Sequence, residues 1–364
     1  MKKLSDYLID EPKRPGDRVK CPLCRQEDSL KLMIPPPDDA ELDTHFICVS
    51  CGEDGTLQGG WTEREDIERG YSDLSIPKFM DRINHFYENG VERGISTGFK
   101  TIDEFYTVRK RELTIFTGIP NHGKSEILDA ILMNLAFKYD WKFAIYSPEN
   151  EPIEEHFKKL AEKYVGKPFF GYNRMSVAEK GAAWDFIRKH FFWVTPKERS
   201  LEEILSTTDY LRRKKQVDGV VLDPFNMIEH FRPPHLREDE YIGICLAKMK
   251  TFIKKTNLAF WLVVHPRKMG KTDAGKQEVP TPYDLKGSSE YYAMAENIIT
   301  VWRDILAVDE EDKAKCEIYS HKIRFKATGR AGEMTTLYYN RMNGIYRESP
   351  DELNEKTING GSNV

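Results

Sequence analysis

Residues 118–125 read Gly118-Ile119-Pro120-Asn121-His122-Gly123-Lys124-Ser125: a glycine, four residues, then Gly-Lys-Ser. Side chains of these types at this spacing hold the phosphates of a nucleoside triphosphate. Gly118, Asn121 and Gly123 belong to a loop whose backbone N–H groups turn inward around phosphate at the positive end of a helix. Lys124 then reaches the β- and γ-phosphates, and the Ser125 hydroxyl is placed to ligate Mg²⁺.

A second constellation has metal-binding chemistry. Cys21-Pro22-Leu23-Cys24 and Cys48-Val49-Ser50-Cys51 are two Cys-x-x-Cys pairs with 23 residues between them. Four thiolates so arranged suit a tetrahedral Zn²⁺ site, with His45 an alternative ligand. Leu30, Leu32, Ile34 and Phe46 between the pairs suggest a two- or three-stranded ribbon. So small a unit has little core, and metal binding must supply most of its folding free energy. Cys245 and Cys316 lie in apolar or mixed segments and read as core thiols.

The phosphate loop needs elements to position it, and the pattern supplies them. Leu113–Thr117 is a β-branched, apolar strand, and Glu126 to Tyr139 has apolar residues at helical spacing. Further strands are expected at Lys142–Ser147, Phe191–Val194, Gly219–Asp223 and Ala259–Val264. Helices are expected at Glu154–Val165, Val177–Lys189, Leu201–Lys215 and Tyr241–Thr256. Alternation of this kind gives an α/β fold with a mostly parallel sheet and helices on both faces. Ligands bind at the carboxyl ends of such strands, where Gly118, Glu149, Asp223 and His265 all fall. Upstream, Ile76–Tyr87 reads as an amphipathic helix with Pro77 near its start, docking on its own domain or on a neighbouring subunit. The organisation expected is a zinc ribbon at 1–61, a linker at 62–93, an ATPase domain at 94–347 and a disordered polar tail at 348–364.

Composition narrows the classes. Of 364 residues 40% are hydrophobic and 31% charged, with a net charge of −4, so any nucleic-acid surface must be a local patch. No apolar run spans a bilayer and the N-terminus lacks a signal-peptide pattern, which predicts a cytoplasmic protein, in host cytoplasm if phage-encoded.

From Gly94 to Tyr346 the chain resembles the RecA-type motor of ring-shaped replicative helicases: bacteriophage primase–helicases, mitochondrial Twinkle and, more distantly, DnaB. The motifs occur in order: Ser96–Asp103, the phosphate loop, Tyr146-Ser147-Pro148-Glu149, Val221-Leu222-Asp223, Val263-Val264-His265-Pro266, Asp284–Ser288, Glu296–Ile299 and Lys322-Ile323-Arg324-Phe325. Relatives of the phage type place a primase domain between ribbon and motor; only Thr62 to Glu92 lies there, so primer synthesis is not carried over. Pro148 and Pro266 are also unusual neighbours for an acid and a sensor.

The resemblance implies roles. Glu149 activates water, with Glu151 its rival; Asp223 organises Mg²⁺; His265 senses the γ-phosphate. Arg324, with Lys322 beside it, acts on the adjacent subunit's nucleotide, and Arg303 and Tyr339 sandwich the base. Single-stranded DNA is expected along Arg267, Lys268, Lys271 and Lys276 of a flexible basic loop, with Lys286, Gly287 and Ser288 as a second strip and residues 231–237 beside them. The implied protein is an ATP- (or dTTP-) driven helicase, 5′ to 3′, forming a homo-oligomeric ring such as a hexamer on single-stranded DNA and forked duplex. A replicative polymerase and a separate primase are the implied partners, though the tail lacks the terminal aromatic of polymerase-docking relatives. The competing readings are a RadA-like recombination ATPase and a non-translocating ATP-gated clamp or loader.

Overall fold

The computed structural model describes residues 18–19, 30–33, 45–48, 54–56, 77–91, 93–272 and 276–354. The chain divides into two compact units, Met1–Val91 and Glu92–Val364.

In the first unit, β1 (Arg18–Val19), β2 (Leu30–Met33), β3 (His45–Cys48) and β4 (Asp54–Thr56) form an antiparallel sheet in the order β1-β2-β3-β4. The pairing of Leu30 with Cys48 and of Met33 with His45 sets the β2–β3 register. This is one strand more than the sequence pattern suggests. Cys21, Cys24 and Cys51 lie outside the described residues. The amphipathic helix runs Pro77–Asn89, with proline at its first position as expected. Ile83, Phe86 and Tyr87 are all exposed along one side of it.

The second unit is built on a nine-stranded sheet. Its strands are β5 (Leu113–Thr117), β6 (Phe143–Tyr146), β7 (Phe191–Trp193), β8 (Gly219–Leu222), β9 (Ala259–Val264), β10 (Asn297–Trp302), β11 (Lys315–Ile323), β12 (Glu333–Tyr339) and β13 (Tyr346–Arg347). Their order is β13-β12-β11-β10-β5-β9-β8-β6-β7. The six from β10 to β7 are parallel; β11 to β13 add an antiparallel meander.

Period-two alternation sends each strand's residues to two cores. Phe116, Val221, Trp261 and Val263 join the core under helices Lys124–Tyr139, Ile153–Val165 and Val177–His190. Ile115, Val220, Leu222, Phe260 and Leu262 join the core under Leu201–Lys215 and Glu238–Thr256. Both faces of the central strands are buried, which is why they read as unbroken apolar runs. Cys245 and Cys316 are buried free thiols, as expected. No described helix is long and apolar enough to cross a membrane.

Candidate active site

The expected cluster assembles at the carboxyl ends of β5, β9, β8 and β6. Gly118 leaves β5 at φ +151°, and a Cβ there would lie 2.2 Å from the Val301 carbonyl oxygen of β10. Only glycine fits that approach. Gly123, at φ +92°, caps the helix that begins at Lys124. Asn121 also takes a left-handed φ of +66°. Lys124 is buried, and its Nζ donates to the Ile119 carbonyl at 3.1 Å. Burial lowers its pKa, opposed by the charges of Asp223 and Glu149.

Asp223 follows β8 and is 3% exposed. Burial pushes its pKa up to about 6, partly offset by the Ser125 hydroxyl and reinforced by the charges of Asp129 and Glu149. Its Oδ1 has no hydrogen-bond partner. A buried, unpartnered carboxylate oxygen beside a serine hydroxyl and a lysine is a donor set that fits Mg²⁺ carrying phosphate.

A carboxyl whose pKa rises on folding holds its proton more tightly in the native state. The contribution of Asp223 to the stability of the metal-free protein therefore falls as pH rises from about 4 to about 6. Asp223→Asn is expected to stabilise the metal- and nucleotide-free chain at pH 7.5 by ~1–2 kcal/mol, a few degrees in Tm. Thermal unfolding in EDTA at pH 7.5 and pH 5 checks this. The gain should be larger at pH 7.5 than at pH 5, and a lowered Tm at pH 7.5 contradicts it.

Glu149 lies in the 3₁₀ turn Pro148–Asn150 after β6. Asn150 braces that turn, donating to Ser147 Oγ at 2.8 Å and accepting from Lys159 at 2.8 Å. Glu149 Oε1 is 3.6 Å from His265 Nε2. Burial lowers the His265 pKa to about 4, so this contact is between a neutral imidazole and a carboxylate rather than an ion pair. Asn226 Nδ2 lies 3.4 Å from His265 Nδ1, which directs Nε2 toward Glu149. Glu151 points elsewhere, 3.8 Å from Arg199.

A second layer behind the cluster is absent from the sequence reading. Trp193 Nε1 donates to His156 Nδ1 at 3.2 Å, and His156 Nε2 donates to Asp129 Oδ1 at 3.2 Å. Asp129 Oδ2 is buried and unpartnered. The available signal was spacing: Asp129 lies four residues after Ser125, on the same helix face.

A sequence profile described as the DnaB-like helicase C terminal domain matches residues 94–345. The chain belongs to the DnaB-like helicase family. That family's members couple nucleoside triphosphate hydrolysis to DNA unwinding. The chain is 35% identical over 294 residues to the chloroplastic/mitochondrial Twinkle homologue of Arabidopsis thaliana, covering 76% of this chain and 40% of that protein. It therefore spans well under half the length of that relative. The fold resembles a solved ATPase domain, with TM-score 0.62 and 18% identity over 76% of this chain and 99% of that one. It also resembles a DnaB-like replicative helicase studied with primase, with TM-score 0.62 and 17% identity over 78% and 70% of the two chains.

Within this DnaB-like motor Arg303 and Tyr339, the residues expected at the base, are neighbours, with the guanidinium 4.7 Å over the Tyr339 ring. Arg303 also donates to the Lys313 carbonyl at 2.6 Å. Tyr346 packs behind them with its hydroxyl oxygen 3.0 Å from where a Gly123 Cβ would lie, a neighbour of the phosphate loop that the sequence did not reveal.

Arg324 and Lys322 lie at the far edge of the sheet. β10 runs parallel to β5, pairing Asn297 with Thr114 and Thr300 with Thr117. β11 reverses, pairing Ile323 with Asn297. Arg324 is therefore level with the start of β5, with β10 between them, and roughly 15 Å along the strand direction from the loop that β5 delivers. Its Nη1 is 3.2 Å from Glu296, a buried carboxylate that also pairs with Lys250. Lys322 donates to the Tyr292 carbonyl and lies 4.9 Å over that ring.

The loop expected to be flexible is paired with itself. Bridges join Pro266 to Leu285 and Lys271 to Gln277, making a narrow hairpin whose residues 273–275 are outside the described ones. Arg267 donates to the Tyr283 carbonyl at 2.8 Å. Lys276 pairs with Asp304 at 2.9 Å and Lys286 with Glu238 at 2.7 Å, so their charges are partly neutralised. Lys268 and Lys271 are exposed with no carboxylate partner among the described residues. Gly287, at φ +79°, starts helix Ser288–Met294; the Ser288 side chain is outside the description.

Proposed function

We propose that this chain is the motor of a ring-shaped replicative DNA helicase, hydrolysing ATP or dTTP at sites shared between neighbouring subunits and translocating 5′ to 3′ on single-stranded DNA. The observation that carries the reading is the position of Arg324, on the sheet edge opposite its own phosphate loop. An arginine there is useless to its own nucleotide and available to an adjacent one, which makes oligomerisation part of catalysis.

In the proposed mechanism Gly118, Asn121, Gly123 and Lys124 hold the phosphates. Ser125 and Asp223 hold Mg²⁺, which when bound neutralises charge on the β- and γ-phosphates. Glu149 orients and deprotonates the attacking water while His265 contacts the γ-phosphate. Lys268 and Lys271 are the principal phosphate contacts for the single strand. Lys276, Lys286 and Arg267 reach it only by exchanging present partners. The exposed side of Pro77–Asn89 fits docking on a neighbouring subunit, and a separate primase and a replicative polymerase remain the partners this reading implies.

Strand displacement on a forked duplex tests the proposal. The wild-type chain is expected to unwind it, and Lys124→Ala to lose hydrolysis by about 10²–10³-fold and unwinding with it. Hydrolysis stimulated by DNA without strand displacement favours a clamp or a RadA-like remodeller instead.

We also propose Zn²⁺ at Cys21, Cys24, Cys48 and Cys51. One zinc per chain is expected by elemental analysis. Cys48→Ser with Cys51→Ser should release it while hydrolysis by the motor persists. Wild-type protein without zinc ends this reading.

A further inference from the structure

One buried histidine joins the phosphate loop to the basic hairpin. His122 is 1% exposed and engages both ring nitrogens. Nδ1 accepts the backbone N–H of Arg303 at 3.2 Å, so the ring proton sits on Nε2. Nε2 then donates to Gln277 Oε1 at 3.1 Å. Burial, with the charges of Lys124 and Arg303 nearby, lowers the His122 pKa to about 4 and keeps the ring neutral.

Each end of this contact belongs to a moving part of the proposed cycle. His122 closes the turn of the phosphate loop, its N–H bonded to the Ile119 carbonyl, the same oxygen that Lys124 occupies. A phosphate bound by Lys124 would compete with that oxygen for the ammonium and so act on the turn bearing His122. Gln277 is the bridge partner of Lys271 on the hairpin. The limb that starts at Gln277 is fastened to β10: Trp302 Nε1 donates to the Gln277 carbonyl at 3.2 Å, and Thr300 Oγ1 to the Pro280 carbonyl at 3.0 Å.

We propose that the His122–Gln277 hydrogen bond transmits nucleotide occupancy from the phosphate loop to the single-strand-binding hairpin, with His122 a positioning residue distinct from the sensor His265. The inference rests on the reading that the hairpin binds single-stranded DNA. Coupling between two binding sites is reciprocal, so it is measurable in binding alone, without turnover.

The test uses the full chain and a fluorescent oligothymidylate, with and without a non-hydrolysable ATP analogue and Mg²⁺. In the wild type the analogue is expected to tighten oligonucleotide binding by about 5- to 150-fold. Gln277→Met keeps the side-chain volume but offers no acceptor to Nε2–H. Its nucleotide-free Kd should match the wild type, while the tightening falls toward unity. Gln277→Glu retains an acceptor and should restore it, a rescue that a packing role does not predict.

Full tightening in Gln277→Met, failure of Gln277→Glu to rescue, or a wild-type affinity indifferent to nucleotide overturns the inference and leaves DNA binding by the hairpin standing. A wild-type chain with no oligonucleotide affinity removes the hairpin reading, and this link with it.

Discussion

Arg324→Ala is expected to lower DNA-stimulated ATP hydrolysis by about 10³- to 10⁵-fold while leaving each subunit's own nucleotide contacts intact. The reason is placement. The reversal from β10 to β11 puts Arg324 level with the start of β5 rather than its end, at the sheet end away from Lys124, Glu149 and Asp223. Glu296, which also pairs with Lys250, holds the half-exposed guanidinium at that end. A finger working in trans has a signature that no intrachain role shares. Arg324→Ala subunits still carry a complete phosphate loop, and Lys124→Ala subunits still carry Arg324. Mixed rings therefore regenerate some whole sites, and the mixture should recover a measurable fraction of activity that neither variant has alone. Subunit exchange is verified by pull-down of differently tagged chains. With exchange established, activity no greater than the sum of the two variants rejects the assignment.

Glu149→Gln should reduce the hydrolysis rate by about 10²- to 10⁴-fold with little loss of nucleotide binding. Glutamine conserves shape and removes one negative charge facing the phosphates, so binding does not suffer. What disappears is the base that takes the proton from water. Glu149 is the acid that Lys124 and Asp223 feel electrostatically, and its carboxylate faces His265. Glu151 is turned toward Arg199, and its amide variant should hydrolyse ATP at close to the wild-type rate. Single-turnover kinetics alongside equilibrium nucleotide binding separate the two acids. A slow Glu151→Gln beside a normal Glu149→Gln reverses the choice.

The sequence by itself determined whatever depends on neighbours in the chain. Gly118 to Ser125 between a β-branched strand and an apolar-spaced helix is a local pattern, as is an acid or histidine directly after an apolar strand. Parallel strands buried on both faces carry such residues to one edge, so Lys124, Glu149, Asp223 and His265 were readable as one site before any coordinates. The four-cysteine spacing was readable for the same reason.

Contacts between distant segments were decided by tertiary structure. Asp129, His156 and Trp193 are ordinary residues until the first helix, the next helix and β7 pack around one buried carboxylate. Arg303 and Tyr339, distant in the chain, are brought face to face as a cation–π pair. The basic segment after His265 looked like a free loop because its composition is polar. Lys271 pairs with Gln277, and the grip of that segment on His122 and Trp302 comes from residues 155 and 25 positions away. Strand direction mattered most: a lysine–arginine pair after a strand has no defined end of the sheet until pairing makes β11 antiparallel. The hydrogen-bond pattern of that single pairing places Arg324 at the end of the sheet opposite the phosphate loop.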